Sequence, residues 1–106
     1  MLFSSLFRSV GINEGAARCF ETPGAVLLDV RTPEEYAEGH IRGSRSLPLQ
    51  EIDSAAALLP DKGTPVFVCC LSGARSARAV QALRGMGYRN VTNIGGLTAW
   101  RGELEK

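Results

Sequence analysis

The chain has 106 residues, which is the size of a single domain. Hydrophobic residues make up 44% of it and charged residues 22%, which excludes disordered and fibrous proteins and is typical of a globular domain with one modest core. Because the net charge is only +1, we expect no nucleic-acid partner and no acidic membrane surface, and any preference for anions must be local.

Three cysteines are present, Cys19, Cys69 and Cys70. Their spacing resembles neither a zinc site nor a disulfide framework, so we expect no metal and no cofactor. Free thiols need a reducing compartment, and the start of the chain is too short and too weakly basic for a secretory signal, which predicts a cytoplasmic location. No run of residues approaches the roughly 20 apolar residues of a membrane span.

We divide the chain into a lead segment, residues 1–7, and one domain, residues 8–106. We prefer the interpretation that this short amphipathic lead packs on its own domain. The alternative is that Phe3 and Phe7 stay exposed and contact a partner or a second copy. In solution we expect a monomer or a weak homodimer.

The first elements alternate between strand and helix. Residues 8–12 predict a short edge strand, and Asn13 is suited to cap a helix that runs to about Phe20. A Pro-Gly pair then ends this helix. The continuous apolar run at residues 25–30 predicts a strand that is covered on both faces.

The next segment carries a strong helix start. Thr32 caps the helix, Pro33 occupies its first position and Glu35 completes a capping box, while Gly39 stops it after a short run. Residues 46–49 predict a short third strand or an extended edge, because the proline within them cannot donate to a ladder.

The second half of the chain continues the alternation, with a helix predicted over residues 50–59 and a buried central strand over residues 65–70. Apolar residues at helical spacing then predict a helix that stops at Gly87. These residues are Ala79, Ala82, Leu83 and Met86. Residues 90–94 predict the last strand, before a short helix that is expected to carry Trp100. This alternation predicts an α/β domain with a mostly parallel sheet.

The most informative segment is the loop after the central strand. Cys70 lies at the tip of the strand, and the loop consists of Leu71, Ser72, Gly73, Ala74 and Arg75. A strand tip before a small-residue loop and a helix is where α/β proteins place an anion-binding nucleophile. Inward-facing N–H groups, the helix N-terminus and Arg75 would favour the nucleophilic thiolate. We therefore predict Cys70 as the catalytic nucleophile, and an inert buried cysteine is the alternative.

The neighbours of Cys70 have supporting roles. Gly73 permits the backbone angles that a cradle of amides needs, and Ser72 adds a hydroxyl donor. Arg75 either holds an anionic substrate or ties the loop down through a carboxylate. Cys69 should point to the opposite face of the strand and fill the core, with a resolving thiol as the alternative. Cys19 is expected in the core or is incidental.

Other polar residues are expected to be structural. Asp29 lies at the end of its strand. We favour a role as a hydrogen-bond acceptor for a loop or for Arg31, rather than a role as a catalytic acid or base. His40 is the only histidine, and we favour a turn residue over a partner for the nucleophile. Capping explains Glu35. Trp100 is favoured as a lid over the core rather than a ligand platform.

With these residues placed, the chain resembles the single-domain form of the rhodanese, or thiosulfate sulfurtransferase, family. The resemblance covers about residues 8–103 and consists of four motifs in order. They are LDVRTPEEY at 28–36, GHIRGS at 39–44, VCCLSGARS at 68–76 and GGLTAW at 95–100. The resemblance implies a three-layer α/β domain, in which a five-stranded, mostly parallel sheet has helices on both faces and carries the site after its fourth strand.

The resemblance also implies an enzymatic activity. The Cys70 thiolate would take a sulfane sulfur from a small anionic donor such as thiosulfate and become a persulfide, surrounded by residues 71–75. The sulfur would then pass to cyanide or to a thiol, a protein thiol included. Two positions depart from the family pattern. Arg42 stands where a proline is usual, and Leu71 stands where enzymes that prefer thiosulfate often have a basic residue.

Two alternatives stand beside the sulfurtransferase. One is a sulfur-relay or protein-binding module of the same family with little turnover on small molecules, although modules that only bind have typically lost the nucleophile that this chain keeps. The other is a thiol phosphatase or arsenate reductase. The loop from Cys70 to Arg75 has six residues, fewer than in fold-related phosphatases, and should crowd a phosphate.

Overall fold

The computed structural model describes residues 10–106, so the lead segment 1–7 lies outside the described residues. The helices of this part are α1 (Ile12–Glu21), α2 (Pro33–Glu38), α3 (Ala55–Leu58) and α4 (Ala74–Gly85). The strands are β1 (Val26–Asp29), β2 (Arg45–Ser46), β3 (Val66–Cys70) and β4 (Val91–Gly96). A first 3₁₀ helix covers Leu49–Ser54 and a second covers Leu97–Ala99.

The strands form one parallel sheet in the order β2-β1-β3-β4, which confirms the α/β class. The expected count of five strands is wrong for residues 10–106, which contribute four. Val10 donates one backbone hydrogen bond to the Asn93 carbonyl of β4 at 3.3 Å, but α1 has begun by Ile12. Only residues 10 and 11 of the edge strand predicted at 8–12 are described before the helix begins, and they are too few to add a strand to the sheet. Residues 8 and 9 lie outside the described part.

Apolar side chains fill two cores, one on each face of the sheet. On one face, α4 packs on β3 and β4, and Leu28, Val68 and Leu83 are buried there together with Ile52 of the first 3₁₀ helix. On the other face, α1 covers the sheet, and Ile12 and Ile94 are buried. Because neighbouring residues of a strand point to opposite faces, β3 contributes to both cores. The parallel sheet flanked by helices on both faces is therefore confirmed.

The capping box at the start of α2 is confirmed. Thr32 Oγ1 accepts a hydrogen bond from the Glu35 N–H at 3.1 Å, and Glu35 Oε1 accepts one from the Thr32 N–H at 2.9 Å. Pro33 opens the helix and Gly39 is its C-cap. No residue of α2 is buried, so its position depends on polar contacts more than on apolar packing.

The prediction that Asn13 caps the first helix is wrong. Gly11 is the N-cap of α1 and no side chain caps it. Asn13 instead donates from Nδ2 to the Ala99 carbonyl at 2.9 Å and accepts at Oδ1 from the Arg101 N–H at 3.0 Å. These two bonds fasten the C-terminal segment to α1 and use both ends of the amide that would have served as a cap.

The middle of the chain is less regular than predicted. The helix expected over residues 50–59 is the first 3₁₀ helix followed by the single turn of α3. The third strand, β2, has only two residues, but the N–H groups of Leu47 and Leu49 still donate to the carbonyls of Asp29 and Val30. The extended edge predicted at residues 46–49 is thus present beyond the strand itself.

No helix within residues 10–106 is long and apolar enough to cross a membrane. The division of the chain at residue 8, the cytoplasmic location and the oligomeric state stay predictions.

Candidate active site

Cys70 is the last residue of β3, at the carboxyl edge of the sheet, and α4 begins at Ala74. Gly73, the N-cap of α4, has a φ of +111°, which favours glycine, so the turn from strand to helix depends on it. The loop also passes very close to β4. A Cβ added at Gly96 would overlap the Leu71 carbonyl oxygen. These two glycines let the loop fold tightly around the sulfur.

Backbone amides of the loop point at the sulfur. Cys70 Sγ accepts hydrogen bonds from the N–H groups of Gly73 at 3.0 Å and Ser76 at 3.3 Å, and it lies 3.4 Å from Ser76 Oγ. Cys70 has no exposed surface, whereas Leu71 beside it is 40% exposed. Leu71 therefore lies on the exposed rim of the loop, beside the enclosed sulfur.

These donors stabilise the thiolate form of Cys70. Burial raises the pKa of the Cys70 thiol, but hydrogen bonds from the Ser76 hydroxyl and from the N–H groups of Ser76, Gly73 and Ser72 outweigh burial. The pKa of Cys70 is therefore lowered below its ordinary value. A thiol whose ionised form is hydrogen-bonded in this way is suited to nucleophilic attack.

The other two cysteines have no comparable donors. Cys69 is buried on the opposite face of β3, in the core under α1, as predicted, and Cys19 of α1 lies in the same core. Burial raises the pKa of Cys69, and it raises that of Cys19 to about 11. Cys70 is therefore the first of the three thiols to ionise as the pH rises.

Two residues of this site, Ser76 and Asn93, were not predicted. Ser76 is fully buried in the first turn of α4, and its Oγ lies 2.7 Å from Asn93 Oδ1 and 3.0 Å from the Gly73 carbonyl. Asn93 Oδ1 also accepts the Gly95 N–H at 2.9 Å, which fixes the orientation of the amide. The Gly73 carbonyl and Asn93 Oδ1 only accept, and the hydroxyl is also within hydrogen-bond distance of Cys70 Sγ, so it can donate to the ionised sulfur. The sequence signal for Ser76 was its position directly after the predicted loop of residues 71–75.

Removing the Ser76 hydroxyl is expected to raise the pKa of Cys70. A hydrogen bond to a charged group contributes about 1.5–3 kcal/mol. The Ser76→Ala variant should therefore hold at least about tenfold less thiolate at a pH below the wild-type midpoint. Thiolate ultraviolet absorbance against pH measures this, with Cys70→Ala as the blank for the two buried thiols.

The matched control is Ser72→Ala, because Ser72 reaches the sulfur through its N–H and not through its hydroxyl. Its titration should follow that of the wild type. A Ser76→Ala titration that also follows the wild type would contradict the role of the Ser76 hydroxyl.

Arg75 is tied to Glu35 of α2. Its two terminal nitrogens donate to the two carboxylate oxygens at 2.7 and 3.1 Å. The hydrogen bond from Arg75 lowers the pKa of Glu35 to about 2, so the pair stays ionised at ordinary assay pH. Of the two roles predicted for Arg75, these contacts support the one that ties the loop down. Capping alone does not explain Glu35, since it also joins α2 to the loop.

Asp29 holds Arg31 in a buried ion pair after β1. The carboxylate accepts three hydrogen bonds from the guanidinium at 2.8–3.1 Å, and the two side chains are 1% and 6% exposed. Arg31 also donates to the Gly39 carbonyl at 2.7 Å, which fastens the end of α2 to β1. Asp29 thus serves as the expected acceptor, and the pair supports the loop indirectly by positioning the helix that carries Glu35.

His40 and Trp100 have structural contacts. His40 stacks on Tyr36 with ring centroids 3.8 Å apart, and its Nε2 faces Glu105 at 3.8 Å, which agrees with a turn residue. Trp100 packs against the core under α1 and donates from Nε1 to the Glu103 carbonyl at 3.1 Å, as a lid would. Within residues 10–106, no three His, Cys, Asp or Glu side chains are grouped so as to hold a metal ion.

Comparison with known proteins decides the family. The family model described as the rhodanese-like domain matches residues 13–103, which is most of the chain. The chain belongs to the rhodanese-like domain family. The resemblance drawn from the four motifs is therefore confirmed.

Relatives of this rhodanese-like domain are named as enzymes. It is 42% identical over 71 residues to thiosulfate sulfurtransferase PspE of Escherichia coli K12, over 66% of this chain and 68% of that protein. It is 37% identical over 93 residues to thiosulfate sulfurtransferase GlpE of Pseudomonas entomophila, over 85% of this chain and 83% of that protein. A solved E. coli rhodanese with anions has a TM-score of 0.72 at 37% identity, over 77% of this chain and 98% of that chain. These relatives support a rhodanese-type enzyme.

Proposed function

We propose that the protein transfers a sulfane sulfur between two substrates through a persulfide on Cys70. The observation that carries the proposal is the environment of the sulfur, which has two backbone N–H groups within 3.3 Å, a hydroxyl at 3.4 Å and a lowered pKa. Such donors stabilise the thiolate, and we expect the amides of the same loop to stabilise the terminal sulfur anion of a persulfide. The relatives named as thiosulfate sulfurtransferases support the same chemistry.

Two half-reactions complete the cycle. The Cys70 thiolate attacks the sulfane sulfur of a donor such as thiosulfate, the S–S bond of thiosulfate breaks, and its electron pair leaves with sulfite. Cys70 keeps the sulfane sulfur as a persulfide anion. Cyanide or a thiolate then attacks the terminal sulfur, and the electron pair of the broken S–S bond returns to Cys70. The thiolate is restored without a redox partner.

The loop offers a doubly charged donor little positive charge. Arg75 is the only cationic side chain in residues 70–75, and its guanidinium is already paired with Glu35. The exposed rim residue Leu71 is apolar. Thiosulfate would therefore be held mainly by amide dipoles, and we expect slow turnover with it. Comparing thiosulfate, 3-mercaptopyruvate and glutathione persulfide against cyanide identifies the preferred donor.

The Cys70→Ala variant is expected to form no thiocyanate from thiosulfate and cyanide. Neither of the other two cysteines faces the loop, so no thiol can replace the nucleophile. Cys69→Ala removes the adjacent sulfur and is the matched control, which should retain most of the activity. Full activity of the Cys70→Ala protein would overturn the proposal.

Mass spectrometry after donor treatment tests the intermediate directly. The peptide that contains Cys70 should gain the mass of one sulfur atom. A persulfide that passes to a protein thiol but not to cyanide would favour the sulfur-relay alternative. Robust cleavage of an aryl phosphate would instead contradict the argument that this six-residue loop crowds a phosphate.

A further inference from the structure

A cavity of about 480 Å³ lies beside the loop, between the first 3₁₀ helix and α4. Its apolar floor consists of Val30, Leu49, Ile52 and Ala82, and Arg75 and Arg78 line it from α4. The volume is within the range of sites for small organic ligands. Cyanide or thiosulfate alone would leave most of it empty.

The floor of the cavity is continuous with the surroundings of the nucleophile. Cys70, Val30 and Ile52 belong to one buried cluster, and Leu49 and Ala82 pack against that cluster. Arg75, in the first turn of α4 directly after the loop, also lines the cavity. A molecule bound there would therefore rest on the same apolar cluster that holds Cys70.

The charge of the lining is positive. Two arginines and no acidic residue line the cavity. Arg75 is neutralised by Glu35, but Arg78 is exposed and has no carboxylate oxygen within 4.0 Å among residues 10–106. An apolar floor beside one uncompensated guanidinium suits an organic molecule that carries a carboxylate.

We propose that this cavity binds the sulfur acceptor, and that the acceptor is a low-molecular-weight thiol with a carboxylate. The inference rests on the proposed function. Arg78 receives the carboxylate, the body of the molecule lies on the apolar floor, and its thiol reaches the rim of the loop. The acceptor thiolate attacks the terminal sulfur of the persulfide. The bond between that sulfur and Cys70 Sγ breaks, its electron pair stays on Cys70, and the acceptor leaves as a persulfide.

Binding is tested without turnover. Calorimetric titration of the Cys70→Ser protein with S-methylglutathione, which has carboxylates but no thiol, should show saturable binding. Arg78→Ala should weaken the binding about tenfold, which corresponds to about 1.4 kcal/mol. Ala82→Met, which fills the floor without changing a charge, should weaken it as well. Arg42→Ala is the matched control, because Arg42 is 91% exposed and does not line the cavity.

Turnover separates this inference from the proposed function. With Cys70 intact, kcat/KM is measured once with glutathione and once with cyanide as the acceptor. Arg78→Ala should lower the ratio of the glutathione value to the cyanide value about tenfold, mainly by raising KM for glutathione. Arg42→Ala should leave the ratio unchanged. The inference is overturned if S-methylglutathione does not bind saturably, or if neither Arg78→Ala nor Ala82→Met changes the binding or the rates. Turnover with cyanide would in that case still support sulfur transfer. If Arg78→Ala lowers sulfur transfer to protein thiols but not to glutathione, the inference is overturned, and the cavity is instead part of a docking surface for proteins. Absence of any sulfur transfer by the wild type overturns the proposed function itself.

Discussion

Replacing Asp29 with alanine is expected to lower the free energy of unfolding by about 3–5 kcal/mol, because it leaves the Arg31 guanidinium buried without its counter-charge. The Arg31 side chain is 6% exposed, and its guanidinium donates its hydrogen bonds to Asp29 and to the Gly39 carbonyl. A domain of this size has only about 5–15 kcal/mol to lose. The melting temperature should fall by about 12–20 °C. Thermal and denaturant unfolding, followed by circular dichroism, measure the change.

Two further variants isolate the cause. Glu14→Ala removes a carboxylate from an exposed pair with Arg18 in α1, whose side chains are 63% and 50% exposed, and should cost at most about 1 kcal/mol. Combining Asp29→Ala with Arg31→Met should recover part of the loss, since no buried charge is then left alone. A double variant less stable than Asp29→Ala alone would show that the loss arises from packing and not from the unpaired charge.

Replacing Gly96 with alanine is expected to reduce sulfur transfer about a hundredfold. The added Cβ would overlap the Leu71 carbonyl oxygen and lie 2.5 Å from Ser72 Cα. These are backbone atoms, so no side-chain rotation relieves the overlap and the loop itself must move. A shift of about 1 Å in a catalytic group is enough for a loss of this size. The Gly73 N–H would move away from the sulfur at the same time, so the pKa of Cys70 should rise.

The matched control is Gly85→Ala at the end of α4. A Cβ there meets nothing within 4 Å, so activity should be kept and stability should rise by about 0.5–1 kcal/mol. Steady-state rates and the thiolate titration distinguish the two glycines. Wild-type rates for Gly96→Ala would show that the loop tolerates displacement and that its amides do not govern the reaction.

The features that the sequence predicted best depend on residues close together in the chain. Thr32 and Glu35 are three residues apart, and their capping box is present as expected. The apolar run at 65–70 marks β3, and its last residue is Cys70. The alternation of side chains along that strand correctly placed Cys69 in the other core. Short-range patterns therefore located Cys70 and the loop that follows it.

The features that sequence reasoning missed depend on contacts between distant segments. Arg75 and Glu35 are 40 residues apart, and Ser76 and Asn93 are 17 apart, so no spacing along the chain indicates either pair. Asn13 looked like a cap for the same reason, because its actual partners lie in the C-terminal segment. The count of five strands followed from the family resemblance and not from a local pattern, and residues 10–106 contribute four.

The separation of the adjacent thiols has a kinetic consequence. Cys69 and Cys19 are in the core under α1, on the far side of the sheet from the loop, and all three cysteines are unpaired. If Cys70 carries a persulfide as proposed, no second thiol of the same chain lies on its side of the sheet to discharge it as a disulfide. Its lifetime is then set by encounters with nucleophiles from outside, so the loaded fraction of the protein would report the supply of acceptors around it.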